Sequence, residues 1–315
     1  MRFLLQRFVG LVIVLFVVSL FTFLLVDLLP GDTTTTILGP LAADDELRAE
    51  AQEQLNLDDP VYVRYADWVT NVVQGDLGDS FVTGEPVSQS IRERLPTSIL
   101  LMVYAQLLAL LISIPLAIIS AYRANGLFDK VTTTGSFGLL SIPNFILAIV
   151  LIFLFGVRWD IFPTLYDDSS PTEILITMFL PAITLAVGLS AVYLRLLRTD
   201  MIATLQEDYI TMAKAKGLPT AHILLRHAFR PSTFSLVTVA GIQVGALIGG
   251  ALVVEQLFSI PGIGTLVTES IFRRDYLVIQ GCVLVIAVAY VLVNFAVDLL
   301  YTFLDPRVRH ARTTA

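Results

Sequence analysis

Residues able to do chemistry are sparse in this 315-residue chain, and their spacing excludes most of what they could do. The three lysines, Lys130, Lys214 and Lys216, never follow a glycine, so there is no GxxxxGKS or GxxxxGKT loop to cradle a phosphate. There is no HExxH, and His222 and His227 lie five apart, off the i, i+4 spacing that sets two ligands on one α-helical face. Cys282 is the single cysteine and sits in an apolar run, which rules out a disulfide within the chain and reads as a small buried hydrophobe. Asp298 is the one charge well inside an apolar stretch, with Asp27 nearer an end. A carboxylate at that depth requires a partner, such as Arg195, Arg198 or a group on another chain, or access to water. Paired catalytic groups at depth are absent, so the sequence predicts no catalytic residue, no metal site and no resident cofactor.

One polar stretch does carry a pattern. Within 199–231, Ile202, Leu205, Tyr209 and Met212 fall at helical spacing. Lys214 and Lys216 then occupy a last turn and Gly217 supplies a left-handed stop. Pro219 restarts a short helix in which Ala221, Leu224, Leu225, Ala228 and Phe229 form an i, i+3, i+4, i+7, i+8 stripe. His222, Arg226 and Arg230 line another face, with His227 beside them. Two short helices broken at a glycine, with apolar and basic faces, suit docking in a partner's groove or lying on anionic lipid headgroups.

The elements that must hold this stretch follow from composition. Hydrophobic residues make up 56% of the chain and charged residues 15%, and the mean hydropathy is +0.78, values that belong in a bilayer. A hydrocarbon core of about 30 Å needs roughly 20 helical residues. Six apolar stretches meet this, at about 8–29, 97–122, 131–157, 176–198, 232–254 and 277–304. Lipid offers the backbone no hydrogen-bond partner, so the fold class is an all-α integral membrane protein with six transmembrane helices. Pro115, Pro143 and Pro181 fall inside spans and predict kinks.

Placing the N-terminus in the cytosol puts 13 of the 20 basic residues inside, all three lysines among them, and returns the C-terminus to the same side. Domains then read as 1–29, cytosolic N-terminus and first span; 30–96, extracytoplasmic; 97–304, the remaining spans with the cytosolic loop 199–231; and 305–315, a cytosolic tail. The 30–96 segment holds 13 acidic and four basic residues, a net of −9 against −7 for the whole chain. An acidic balance of this kind offers no surface for nucleic acid. Two amphipathic helices are legible there. One runs from about Asp44 with Leu47, Ala51 and Leu55 on a face; the other starts at Pro60 behind Asp59, with Val61, Tyr65, Trp68, Val69 and Val72 as its stripe. The segment suits either a solvated cap or a docking surface.

The run EDYITMAKAKGLPTAHILLRHAFRP at 207–231 resembles the EAA-type coupling loop of permeases from ATP-binding-cassette importers. QGDLGDSF, ERLP, SIPNF, GGALVVEQLFSIPGIG, RRDYLVIQG and VDLLYTFLDPRVR extend the likeness, in order, over nearly the whole chain. The likeness is closest to the first, B-type, permease of dipeptide, oligopeptide and nickel systems. It implies the type I importer permease fold and a second homologous permease. It also implies two cytosolic ABC ATPases that hold ATP and Mg, an extracytoplasmic substrate-binding protein, and a multi-pass place in the cell membrane among its lipids. Such a chain is not itself an enzyme. Residue by residue, Ala213 and Gly217 match the loop's alanine and glycine, and the coupling set extends over Glu207, Asp208, Tyr209, Lys214, Lys216, Arg226 and His227. The acid that heads the general motif falls at Thr211 here, with Glu207 and Asp208 upstream, and Pro231 closes the loop one place late. Substrate residues are unknown. Nickel or another non-peptide solute is the alternative cargo, and an ion channel or secondary transporter the remote alternative.

With Cys282 replaced, a cysteine at position 83 should react with an impermeant thiol reagent on intact cells, and one at position 220 should not. Labelling in the opposite sense contradicts the topology.

Overall fold

The computed structural model of the chain describes residues 2–27, 45, 46, 49, 52 and 59–304. The face expected at Leu47, Ala51 and Leu55 and the tail 305–315 lie outside the described residues, as do the side chains of Arg2, Arg7, Asp27 and Asp298. Among the described residues the regular structure is helical, apart from one isolated bridge between Asp79 and Pro86. The helices are α1 (Arg2–Asp27), α2 (Val61–Val73), α3 (Val87–Tyr122), α4 (Leu127–Leu140), α5 (Asn144–Leu151, continued in π geometry over Ile152–Arg158) and α6 (Pro171–Thr177). Then come α7 (Phe179–Leu205), α8 (Asp208–Ala215), α9 (Thr220–His222, continued as π helix Ile223–Phe229), α10 (Arg230–Leu257), α11 (Ile263–Arg273) and α12 (Tyr276–Leu304).

Among the described residues four stretches are long and apolar enough to cross a membrane: α3, α7, Thr220–Leu257 and Tyr276–Val297. Over the span expected at 131–157, the kink expected at Pro143 is a break at which α4 and α5 meet at 103°. Pro143 has no N–H to continue the ladder and holds an extended ψ of 140°, so the helix stops at Ser141 and restarts at Asn144. The other two prolines do not break their helices. Pro115 lies within the continuous α3, and Pro181 sits in the first turn of α7, where no intrahelical N–H is lost. Helix α3 also starts at Val87, ten residues before the span start expected at Thr97. The apolar part of α1, Phe8–Leu24, is shorter than the other stretches.

Packing divides the chain into two units. The first comprises residues 1–98 and 261–295. In it Val87 and Ile91 pack with Ile263, Leu266, Leu277, Val278 and a fully buried Cys282, as expected of that thiol. The expected stripe of α2 turns toward α1: Tyr65 meets Phe16 and Phe23 edge-on, Trp68 meets Phe23, and the Tyr65 hydroxyl lies 2.7 Å from Ser19 Oγ. Val61 stays exposed, and the N-cap is Pro60 with no side-chain cap, so Asp59 does not cap the helix. The GDLGDS turn is tied down by Ser80 Oγ, which donates to the buried Asp275 carboxylate at 2.5 Å.

The second unit, 99–260 and 296–315, centres on α7. Two-thirds (67%) of its most apolar stretch is buried, against 22% for α3 and 17% for Thr220–Leu257. Small residues make this possible. Asn144, at the restart of α5, lies against Gly188 of α7 and Gly250 of α10. A Cβ at Gly250 would stand 3.1 Å from Leu185 Cδ2 and 3.3 Å from Asn144 Nδ2. Tyr193, fully buried, donates its hydroxyl to Gln106 Oε1 at 3.0 Å, which satisfies both groups where lipid could not.

Near the C-terminal end of α7, Arg198 makes a two-point ion pair with Asp129 in the first turn of α4. Asp129 is only 2% exposed, and its carboxylate also accepts from Ser120 Oγ (2.5 Å) and Asn125 N (2.8 Å). Arg195 lays its guanidinium over the Phe137 ring, 4.5 Å from the centre. Both arginines thus bear on α4, while the Asp298 side chain lies outside what is described.

Asp129→Asn should cost about 2–3 kcal/mol, less than the ~3–5 of a fully buried pair because Arg198 stays partly solvated. Thermal denaturation of the purified protein checks this. An unchanged Tm contradicts it.

Candidate docking loop

The loop begins where α7 ends. Gln206 N bonds Ala203 O at 3.1 Å and Glu207 N bonds Thr204 O at 3.1 Å, so the chain turns, and Glu207 takes an extended conformation as N-cap of α8. This break separates the expected stripe Ile202–Leu205–Tyr209–Met212. The face that α8 buries is Ile210 and Ala213, which pack with Ile223 and are flanked by Leu205 and Leu218. Tyr209 (45%) and Met212 (61%) are exposed. Asp208 stands in the first turn and Lys214 in the last, each at the end of the helix dipole that favours its charge. Glu207 and Asp208 are both exposed, as are Lys214, Lys216 and Arg226, while His227 is half-buried.

Gly217 does what its position predicts. Its φ is +73°, its N–H bonds Lys214 O at 2.9 Å, and Leu218 N bonds Ala213 O at 3.3 Å. These two bonds form a Schellman stop, with Leu218 placed against Ala213 as the usual apolar contact. A Cβ built at Gly217 would meet nothing within 4 Å, so the glycine is required by its backbone angle and not by space.

Pro219 caps α9, and the chain then winds as a π helix over Ile223–Phe229. This alters which side chains share a face. In an α-helix the stripe would recur at three and four; here it recurs at five. Ile223 and Ala228 are buried, Leu224 and Phe229 pack on the main core, and Ala221 and Leu225 (57%) are exposed, which corrects the expected stripe. The same register brings His222 and His227 together, with ring centres 5.3 Å apart, although α-helical geometry would separate them.

Two ties hold the hairpin closed. The Tyr209 hydroxyl donates to His227 O at 3.3 Å, and Thr204 Oγ1 lies 3.3 Å from Ser232 Oγ, whose hydroxyl is also within 2.9 Å of Ala228 O. Partial burial, then the nearby Glu207 charge, raises the Tyr209 phenol above its ordinary range, so it remains a donor at cellular pH. The outer surface carries Tyr209, Met212 and Leu225 among Lys214, Lys216, Arg226 and Arg230. It offers a surface for a partner to grip and no arrangement for bond making. Ile210, Leu218, Ile223 and Ser232 were not singled out in sequence. The Ile210–Ala213 spacing was a signal for the first, whereas the π register leaves none for Ile223.

Comparison with known proteins places the chain in a family. The family model described as binding-protein-dependent transport system inner membrane component matches residues 113–310, and the model for the N-terminal part of such components matches 1–102. The oligopeptide transport system permease protein AppB of Bacillus subtilis (strain 168) is 38% identical over 299 residues, covering 93% of this chain and 94% of its own. The glutathione transport system permease protein GsiC of Escherichia coli (strain K12) is 35% identical over 310 residues, 98% and 99% of the two chains. A probable peptide ABC transporter permease, y4tP of Sinorhizobium fredii (strain NBRC 101917 / NGR234), is 35% identical over 313 residues with the same coverage. The chain belongs to the family of inner membrane components of binding-protein-dependent transport systems.

Gly217→Val forces a β-branched residue to positive φ, roughly 1–2 kcal/mol worse on handedness grounds. Membrane levels should stay near normal while recovery of partner proteins through this loop falls, and Gly217→Asn, which tolerates that region, should retain most of it. Lys214→Ala and Arg226→Ala should have smaller effects. Quantitative co-purification decides: full partner recovery with Gly217→Val, or loss concentrated in the basic variants, contradicts a docking role and favours lipid binding.

Proposed function

We propose that this chain is one permease of an ATP-driven, binding-protein-dependent importer of dipeptides and oligopeptides. It forms half of the translocation pathway with a second, homologous permease. Two cytosolic ABC ATPases, which carry ATP and Mg, dock on the 199–231 loop and its counterpart, and an extracytoplasmic binding protein delivers cargo. The chain crosses the cell membrane six times with both termini inside, and 30–96 lies outside. Four apolar helices, the bent α4–α5 pair as a fifth crossing and the apolar part of α1 as a sixth support that count. Closure of the ATPases on ATP draws the paired loops together, the permeases open outward, and cargo enters the cavity. Hydrolysis resets the pair.

The observation that carries the reading is a prefolded surface loop with three exposed apolar side chains set among basic ones, in a chain with no nucleotide site of its own. The names of the relatives, oligopeptide and glutathione permeases among them, favour a peptide over nickel. Glutathione is itself a small peptide, so cargo as short as a tripeptide is within the proposal.

Reconstitution of this chain with its partner permease, ATPases and binding protein in proteoliposomes tests it. Labelled di- to pentapeptides should accumulate only with ATP and binding protein, and substrate-loaded binding protein should stimulate ATP hydrolysis. Solute flux through this chain alone, or peptide uptake independent of ATP, overturns the proposal.

A further inference from the structure

The π register of the loop makes a pair that the sequence spacing conceals. Residues five apart on an α-helix point about 140° away from each other. On a π helix, whose bonds run i to i+5, they stack on one side. His222 immediately precedes the π stretch and His227 lies within it; their ring centres are 5.3 Å apart, with planes inclined by 58°.

That separation is the one a shared metal ion would set. Zinc takes imidazole nitrogen at about 2.0–2.1 Å, which puts each ring centre about 3.2 Å from the ion and two centres about 5.2 Å apart at a tetrahedral angle. His222 is exposed and His227 half-buried, so an ion has access from solvent. The backbone beneath the second ligand is steadied by the Tyr209 hydroxyl on His227 O. No group of three or more His, Cys, Asp or Glu side chains that could hold a metal ion is found among the described residues, so water must complete the coordination. The neighbouring Arg226 opposes a cation and keeps the affinity modest.

We infer that His222 and His227 form a two-imidazole seat for a divalent transition ion of the zinc type, assembled only while residues 223–229 hold the π register. An ion seated there resists conversion of that stretch to α-helix, because the conversion swings the two ligands apart. The inference rests on the loop's own geometry and stands whether or not the transport reading does.

The test uses the full chain, purified with a tag free of histidine, and the variants His222→Gln, His227→Gln and His310→Gln. Calorimetric titration with Zn²⁺ should show a bound equivalent that weakens more than about tenfold in either of the first two variants, at least the effect of losing an outer-shell partner, and persists in the third. Co²⁺ in its place should give the intense visible absorption of tetrahedral coordination. Equal Tm values for variants and parent confirm that the fold is kept. Retention of the zinc equivalent in both loop variants, no zinc binding by the parent chain, or an octahedral cobalt spectrum overturns the inference.

Discussion

Close packing around α7 is the interaction on which the 99–260 unit depends. Lipid is as apolar as a leucine side chain, so helices in a bilayer gain nothing by hiding hydrophobic surface from each other; they associate through contact and satisfied polar groups. Helix α7 is built for that. Ala182, Ala186, Gly188, Ser190 and Ala191 let neighbouring backbones approach, and Gly188 with Gly250 of α10 makes the notch in which Asn144 sits. A polar pair at depth, Tyr193 with Gln106, is closed. Near its C-terminal end α7 holds α4 by a buried ion pair and a guanidinium–ring contact, and about two turns further on it becomes the base of the loop. The bent α4–α5 pair and the docking loop are thus joined through one well-packed rod, a physical route by which movement at the loop can reach the break at 141–143.

The loop is a folded platform and not a flexible strap. Its own small core of Ile210, Ala213 and Ile223 is continuous with Leu205 at the end of α7 and Leu218 after the glycine stop. The π stretch lets Ile223 and Ala228 bury on one side and Leu224 and Phe229 on the adjacent one, which no three-four pattern achieves over seven residues. What remains outside, Tyr209, Met212 and Leu225 among basic residues, is held in place before any partner arrives. Preorganisation of this kind lowers the ordering cost of association.

Much of this was legible in the residues and some was not, for identifiable reasons. Helices were found at each of the long apolar runs because lipid leaves the backbone no alternative, and Gly217 and Pro219 mark their turn because few other residues fit those angles. The stripe of α2 was readable in the same way, Val61 apart. The break at Pro143 was anticipated as a kink, but a 103° bend depends on Asn144 finding its notch on two other helices. The Asp129–Arg198 pair is 69 residues apart, and its acid lies next to Lys130, so periodicity gives no sign of it. The π register was invisible for a related reason. It adds no special residue and only changes how many residues make a turn, which misassigned Ala221 and Leu225 to a buried face and set His222 and His227 apart.

The claim that the loop is folded before it binds is tested most directly by hydrogen–deuterium exchange, resolved by residue, on the purified permease without ATPases. Amides of the loop's helices, those of Met212 and Ala213 and the ones along the π stretch above all, should be protected by orders of magnitude relative to an unstructured peptide, and adding the ATPases should change them little. Exchange over 208–229 at the rate of an unfolded segment, with protection arising only when the ATPases are added, would contradict the account.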